Sequence, residues 1–265
     1  MRIITLTTDF GWSSPYPAQM KAVILRLAPP GIEVVDVTHG VPPQDVTSGS
    51  YVMAVACPWF PKGTVHVGVV DPGVGTERRA LLLETARGDV LIGPDNGLLL
   101  PLAEELGGIE RAYRIREDEV SDWEVSATFH GRDVFAPAAV RAAVGEDPEE
   151  FCDPLSPGEL EGPPIPEPEV REGAIRAHVW YVDDFGNVIT NLEWERADPP
   201  GELLVRTETG EHRARRVKTY GEAEPGDLVV LRSSSGHLEL AVVEGSAAER
   251  LDLNPGDPVE LLPTE

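Results

Sequence analysis

The sequence predicts an α/β amino-terminal domain with a largely parallel sheet, followed by a smaller all-β, barrel-like carboxy-terminal domain. Three observations carry this expectation. Up to residue 145, β-branched runs alternate with stretches of helical spacing. From 146 to 173, prolines and acids displace apolar residues. Beyond 174, helical periodicity gives way to short strands set between Gly and Pro. The implied domains are residues 1–150 and 174–265, joined by a proline-rich linker over 151–173.

Residues 3–8 read as a strand ending on Asp9-Phe10-Gly11. Residues 18–27 place Met20, Val23, Ile24 and Leu27 at helical spacing, and Pro29-Pro30-Gly31 stops that helix. Residues 32–37 give the next strand, 39–45 a proline-bearing loop, and 46–60 a second helix. The strand from Gly63 carries Val65, Val67, Val69 and Val70 and ends abruptly on Asp71. Residues 80–84 and 89–92 flank Ala86-Arg87-Gly88 as a hairpin. Asp95 or Asn96 is placed to cap a helix over 98–106. Between 146 and 173, six prolines from Pro154 to Pro168 lie among acids, too dense for a helix. The remaining segments, 174–181, 188–192, 202–207, 212–217, 227–231 and 238–243, suit a small barrel or sandwich.

Composition excludes several classes of function. A formal charge of −24, with Lys21, Lys62 and Lys218 as the lysines, argues against a nucleic-acid partner, because that affinity rests on neutralising phosphates with Lys and Arg. An acidic field favours cationic ligands instead. Cys57 and Cys152 are too few for a disulfide framework or a zinc site. No apolar run reaches the about 18 residues of a membrane span. The amino terminus meets Asp9 too early for a secretory signal, so a cytoplasmic protein is expected.

Two clusters have the look of a site. Asp71-Pro-Gly-Val-Gly-Thr-Glu-Arg78 sits at a strand's carboxyl end, where α/β proteins gather ligand-handling groups. Gly73 and Gly75 permit a tight turn that brings Arg78 back beside Asp71. A surface turn closed by an Asp–Arg ion pair explains the same residues equally well. The second cluster, Thr128-Phe-His-Gly-Arg-Asp133, sets an imidazole between an aromatic ring and a glycine.

Taken together, these segments resemble the S-adenosyl-L-methionine (SAM) hydrolases, or SAM hydroxide adenosyltransferases, relatives of the SAM-dependent fluorinases and chlorinases. The resemblance implies a triad of Asp71, Arg78 and His130. It also implies hydrolysis of SAM to adenosine and methionine by water or hydroxide at C5′, with SAM as substrate and no separate cofactor or metal. Either Asp71 or His130 would accept the proton. The resemblance further implies that Asp9 holds the ribose hydroxyls and that Phe129 contacts substrate. Asp183 and Asn187 would meet the nucleoside and amino-acid parts, Tyr220 the adenine, and Ser234 the methionine end. It implies a homotrimer whose sites lie between one subunit's α/β domain and its neighbour's β domain.

Three positions depart from the family pattern: Ser14 in place of an aspartate, Ser235 in place of the fluorinase arginine, and Val243 where Asn is common. In the halogenating relatives a Tyr replaces the aspartate that Asp71 retains, and the fluorinase has a long insertion where 79–93 is short. Both features favour water over halide. The competing readings are a SAM-dependent halogenase, a SAM- or nucleoside-binding protein without turnover, and a metal-dependent hydrolase built on His39, His130, Asp71 and Asp133.

Overall fold

The computed structural model describes residues 2–171, 174–197, 199 and 201–264. The chain forms two compact units, Met1–Pro164 and Ile165–Glu265.

In the first unit, β1 (Arg2–Thr8) is buried along nearly its whole length, as its alternation-free Ile, Leu and Thr content requires. It is followed by α1 (Tyr16–Leu27), β2 (Ile32–Thr38), α2 (Val46–Ala56), β3 (Val65–Val69), β4 (Ala80–Thr85), β5 (Val90–Pro94), α3 (Leu100–Glu105), β6 (Ile109–Ile115), α4 (Ala136–Val144) and β7 (Cys152–Leu155). The sheet order is β2-β1-β3-β5-β4-β6-β7. One side of it packs with α1 and α4 around Ile4, Leu6, Met20 and Phe135, and the other with α2 and α3 around Met53, Leu83, Leu98 and Leu102.

The expected largely parallel sheet is corrected to a mixed one. The pairs β2–β1, β1–β3 and β3–β5 are parallel, whereas β5–β4, β4–β6 and β6–β7 are antiparallel. The hairpin turn between β4 and β5 is the physical cause, since a connection that short cannot make a parallel crossover. Helix α2 is shorter than its periodicity predicts. Asp45 caps its start by accepting from Ser48 N (2.9 Å), and the chain passes into a 3-10 turn, Cys57–Trp59, at Pro58.

Residues 152–155 of the proline-rich stretch form the edge strand β7, where Pro154 has no inner ladder to interrupt. The stretch continues through a 3-10 turn, Pro157–Glu159, to β8 (Glu169–Arg171), and residues 172 and 173 lie outside the described residues.

The second unit adds β9 (Ala174–Val182), β10 (Val188–Glu193), α5 (Trp194–Ala197), β11 (Glu202–Thr207), β12 (Gly210–Arg216), β13 (Leu228–Arg232), β14 (His237–Val242), α6 (Ala247–Leu251) and β15 (Pro258–Pro263). Seven strands, in the order β10-β14-β13-β12-β11-β15-β9, close into a barrel through the β9–β10 pair, and β8 adds to β9. Val179, Val188, Val205, Val230, Leu240 and Val259 fill its core. The unit is a barrel as expected, with two short helices where the sequence reads all-β.

Candidate active site

Asp71 is separated from the end of β3 by one residue, and Asp9 directly follows β1, so two carboxylates stand at the carboxyl ends of adjacent parallel strands. From Asp71 the chain turns twice, with Val74 N donating to Asp71 O (3.2 Å) and Thr76 N to Gly73 O (3.2 Å). Gly75 has φ +76°, and a Cβ built there would lie 2.3 Å from Ala127 O. Only glycine fits this close approach, which seats the turn against the segment leading to His130.

The turn returns Arg78 to Asp71. Its Nε lies 3.0 Å from Asp71 Oδ1 and its Nη2 2.5 Å from Asp71 Oδ2. The same Nη2 donates to His130 Nδ1 at 2.9 Å, and Nη1 donates to Glu117 Oε1 at 3.3 Å. The guanidinium also packs over the Phe135 ring, 5.3 Å from its centroid. The side chains of Asp71 and Arg78 are 5% and 9% exposed, so the pair is much less screened than a surface salt bridge.

His130 precedes a five-residue π-turn, Gly131–Phe135, that runs into α4. Such turns gather at functional sites because they re-aim side chains. Burial lowers the His130 pKa, as does the Arg78 charge, against the opposing pull of Glu117, Asp71 and Asp133. Arg has no acceptor, so the contact requires Nδ1 to offer its lone pair; the neutral ring then carries its proton on Nε2. Gly75, Thr76, Glu117, Val125, Ala127 and His130 line part of a solvent-open cavity of about 760 Å³.

The other predicted residues of this unit stand nearby in the fold. Asp9 accepts from Gln44 N (2.8 Å), and its pKa is raised, chiefly by burial and also by the Asp71 charge. Phe129 is buried and meets Tyr16 and Phe10 edge-on, with centroids 5.1 and 5.7 Å away. The His39, His130, Asp71 and Asp133 set expected for a metal-dependent hydrolase is not assembled. His39 bonds Thr8 Oγ1 (2.9 Å) and lies 3.1 Å from Asp36. Asp133 is fully buried and accepts from Trp123 Nε1 (2.8 Å), Ser126 N (3.0 Å) and Arg132. Burial alone would raise the Asp133 pKa, but those hydrogen bonds outweigh it and hold the group below the usual carboxylate range. Among the described residues, no group of three or more His, Cys, Asp or Glu is placed to hold a metal ion.

In the second unit, Asp183, Asn187 and Tyr220 come together around a cavity of about 590 Å³, with Phe185 and Val243 also in its wall. Asp183 Oδ1 accepts from Phe185 N and Asn187 N, and Oδ2 from Asn187 Nδ2, all at 2.9 Å. This turn holds Phe185 out at 79% exposure. Tyr220 is 44% exposed, and its hydroxyl donates to the buried Glu239 at 2.5 Å. Burial raises both pKa values, and the Glu239 carboxylate pushes that of Tyr220 up further. Ser234 is exposed in the β13–β14 turn and is not part of this cavity wall.

Sequence reasoning missed Glu117 and Glu239. Glu117 sits in the acidic run Glu117-Asp118-Glu119, which reads as a solvated face, and Glu239 alternates with Leu238 and Leu240 like any outward polar residue.

Comparison with known proteins identifies the family. The SAM hydroxide adenosyltransferase N-terminal domain matches residues 4–152 and the corresponding C-terminal domain matches residues 177–260. An (R)-S-adenosyl-L-methionine hydrolase of Salinispora tropica is 42% identical over 255 residues, covering 96% of this chain and 95% of that protein. A fluorinase of an Actinoplanes species is more distant, at 30% identity over 277 residues and 90% of each chain. The crystal structure of an uncharacterized conserved protein from Thermotoga maritima superimposes with a TM-score of 0.87 at 36% identity, covering 98% of this chain and 99% of that one. With both domains matched in order along most of its length, the chain belongs to the SAM hydroxide adenosyltransferase family.

Proposed function

We propose that the protein hydrolyses SAM to adenosine and L-methionine by attack of a water molecule on C5′. The observation that carries this reading is the single Arg78 nitrogen shared by Asp71 and His130, in a chain 42% identical to a named SAM hydrolase.

The leaving group is a neutral thioether departing from a sulfonium, so the reaction needs no general acid and no cofactor beyond SAM. The demand falls on the nucleophile, because bulk water has a pKa of about 15.7. With Nδ1 accepting from Arg78, His130 has a donor at Nε2 with which to orient the water oxygen. Asp71 keeps lone pairs beyond those that Arg78 engages, so it is the group assigned to take the proton as the C–O bond forms. Arg78 holds both in place through charge-assisted hydrogen bonds.

Asp9 supplies two oxygens suited to the ribose diol, and Phe129 backs the same region. The second unit's cavity, walled by Phe185, Tyr220 and Asn187, is of a size and polarity suited to adenosine. Ser234 is assigned to the methionine end. The proposal includes the homotrimer, with each site completed by a neighbouring subunit, and a cytoplasmic place of action. Light scattering gives the assembly mass.

Halide is the second nucleophile to weigh, and Asp71 is the observation against it: a halide needs no proton acceptor. The deciding experiment incubates the protein with SAM in water enriched in heavy oxygen, with and without chloride or fluoride. Labelled adenosine is the expected product. A 5′-halonucleoside, or intact SAM that is bound but never consumed, overturns the reading.

A further inference from the structure

We propose that Glu117 is a fourth member of the site, a positioning residue that anchors Arg78 and through it decides which nitrogen of His130 carries the proton. The inference deepens the hydrolase reading and takes its catalytic meaning from it. Its geometric content stands apart from any substrate.

Glu117 Oε1 lies 3.3 Å from Arg78 Nη1 and 3.5 Å from His130 Nδ1. Both of those side chains are enclosed, whereas that of Glu117 is 34% exposed and forms part of the wall of the cavity shared with His130. The neighbouring Arg116 offers Glu117 an exposed alternative. Arg116 instead pairs with Glu119 and Asp153, and Glu117 turns inward to the buried guanidinium.

A guanidinium is a rigid planar fork. Asp71 occupies its Nε and Nη2 side, and that contact alone leaves the plane free to tilt about the carboxylate. Glu117 fixes Nη1, so the remaining Nη2 hydrogen is held on His130 Nδ1. The charge of Glu117 has a second, separate effect, since it favours the protonated imidazole and so bears on where His130 titrates. Asp71 and Glu117 exceed Arg78 by one negative charge, and Glu117 is the strongest charged neighbour opposing the effect of burial on His130. The groups facing the imidazole are thus Glu117, Arg78, Asp71 and Asp133.

The test combines nitrogen NMR of the imidazole in the full-length protein with SAM kinetics, in Glu117→Gln and Glu117→Ala. Gln keeps an oxygen for Arg78 and removes the charge. It is expected to lower kcat a few-fold and to move the acidic limb of the pH profile, with the His130 titration, to lower pH. Ala releases Arg78. It is expected to convert His130 from the single Nε2-protonated form to a tautomer mixture and to lower kcat about tenfold or more, with KM within about twofold. Wild-type NMR signals in both variants overturn the inference, as does a raised KM at unchanged kcat, which makes Glu117 a substrate contact instead. The NMR measurement needs no SAM. Absence of turnover in the wild type therefore defeats the hydrolase reading alone and leaves the role of Glu117 decided by the spectra.

Discussion

Arg78 Nη2 points a hydrogen at His130 Nδ1 across 2.9 Å, and this contact is incompatible with a proton on that nitrogen. Protonating His130 therefore breaks the arrangement. Because burial lowers its pKa from the usual 6.5, the neutral form persists into mildly acidic solution. The rate of SAM hydrolysis is expected to stay flat from pH 8 down to about 6.5 and to decline below that as the imidazole charges. An acidic limb centred above pH 7 contradicts this assignment. His130→Ala should lower kcat by about 10²-fold or more, the scale of a lost catalytic hydrogen-bonding group.

The proposed mechanism gives Asp71 two separable duties, proton acceptor and partner of Arg78. Asp71→Asn keeps an oxygen for Arg78 but removes the proton acceptor, so kcat should fall by about 10²–10⁴-fold with little change in KM. Asp71→Ala also strands a guanidinium that is only 9% exposed, and removing one partner of a buried pair costs about 3–5 kcal/mol. Chemical denaturation should place the Ala variant well below the Asn variant. Equal stabilities would show that the Asp71–Arg78 pair does not contribute to folding.

Gly75 is expected to tolerate no side chain. A methyl group there meets the Ala127 carbonyl oxygen, a backbone atom, at 2.3 Å and forces φ +76° on an L-residue. Gly75→Ala should destabilise by about 1 kcal/mol or more and displace the turn that carries Arg78, lowering kcat as well. A variant with wild-type melting temperature and rate refutes the close approach.

Tyr220 is assigned as an adenine platform, and base–aromatic stacking is worth about 1–3 kcal/mol by alanine substitution. Tyr220→Ala should therefore raise KM by roughly 5- to 150-fold with little effect on kcat. Tyr220→Phe keeps the ring but removes the donor to buried Glu239, so its KM should rise less while its stability drops. Titration calorimetry with adenosine measures the same ordering without turnover.

Acid should unfold the protein in two stages. Burial lowers the pKa of His39, His66, His130, His178 and His237. Below about pH 6.5 the unfolded chain thus binds protons that the folded chain refuses, and stability falls. Asp36, Asp89 and Asp133 have lowered values, Asp89 to about 2, so their contribution is present above about pH 4 and lost as pH drops further. Asp9 and Glu239, with raised values, oppose the trend. Melting temperatures measured from pH 8 to pH 3 should decline from about 6.5 downward; a maximum near pH 5 contradicts the histidine assignment.

Strands β1 and β3 were legible because unbroken β-branched runs mean burial on both faces, and their abrupt ends at Asp9 and Asp71 mark where the chain leaves the sheet. Direction was not legible. A strand buried on both faces carries the same apolar run whether its neighbour is parallel or antiparallel, and only the 86–88 turn hinted at the reversal. Strand β6 escaped notice because Glu110, Arg111 and Arg114 interrupt its pattern while Ala112, Tyr113 and Ile115 face the core. Strand β15 lay beyond the last apolar segment assigned. At the site, the turn residues between Asp71 and Arg78 allowed their pairing to be read locally, whereas His130 joined them only through what the family resemblance implies. Glu117 reaches the same guanidinium from 39 positions away, a distance across which local pattern carries no information.

Closure of the barrel between β9 and β10 removes the open ladder that a sheet normally presents to a second chain. In that unit the outermost strand is the three-residue β8, and at one side of the mixed sheet β7 carries Pro154. Copies of this chain are consequently not expected to pair through the closed barrel or past Pro154, which leaves the seven-residue β2 as the long edge of the mixed sheet.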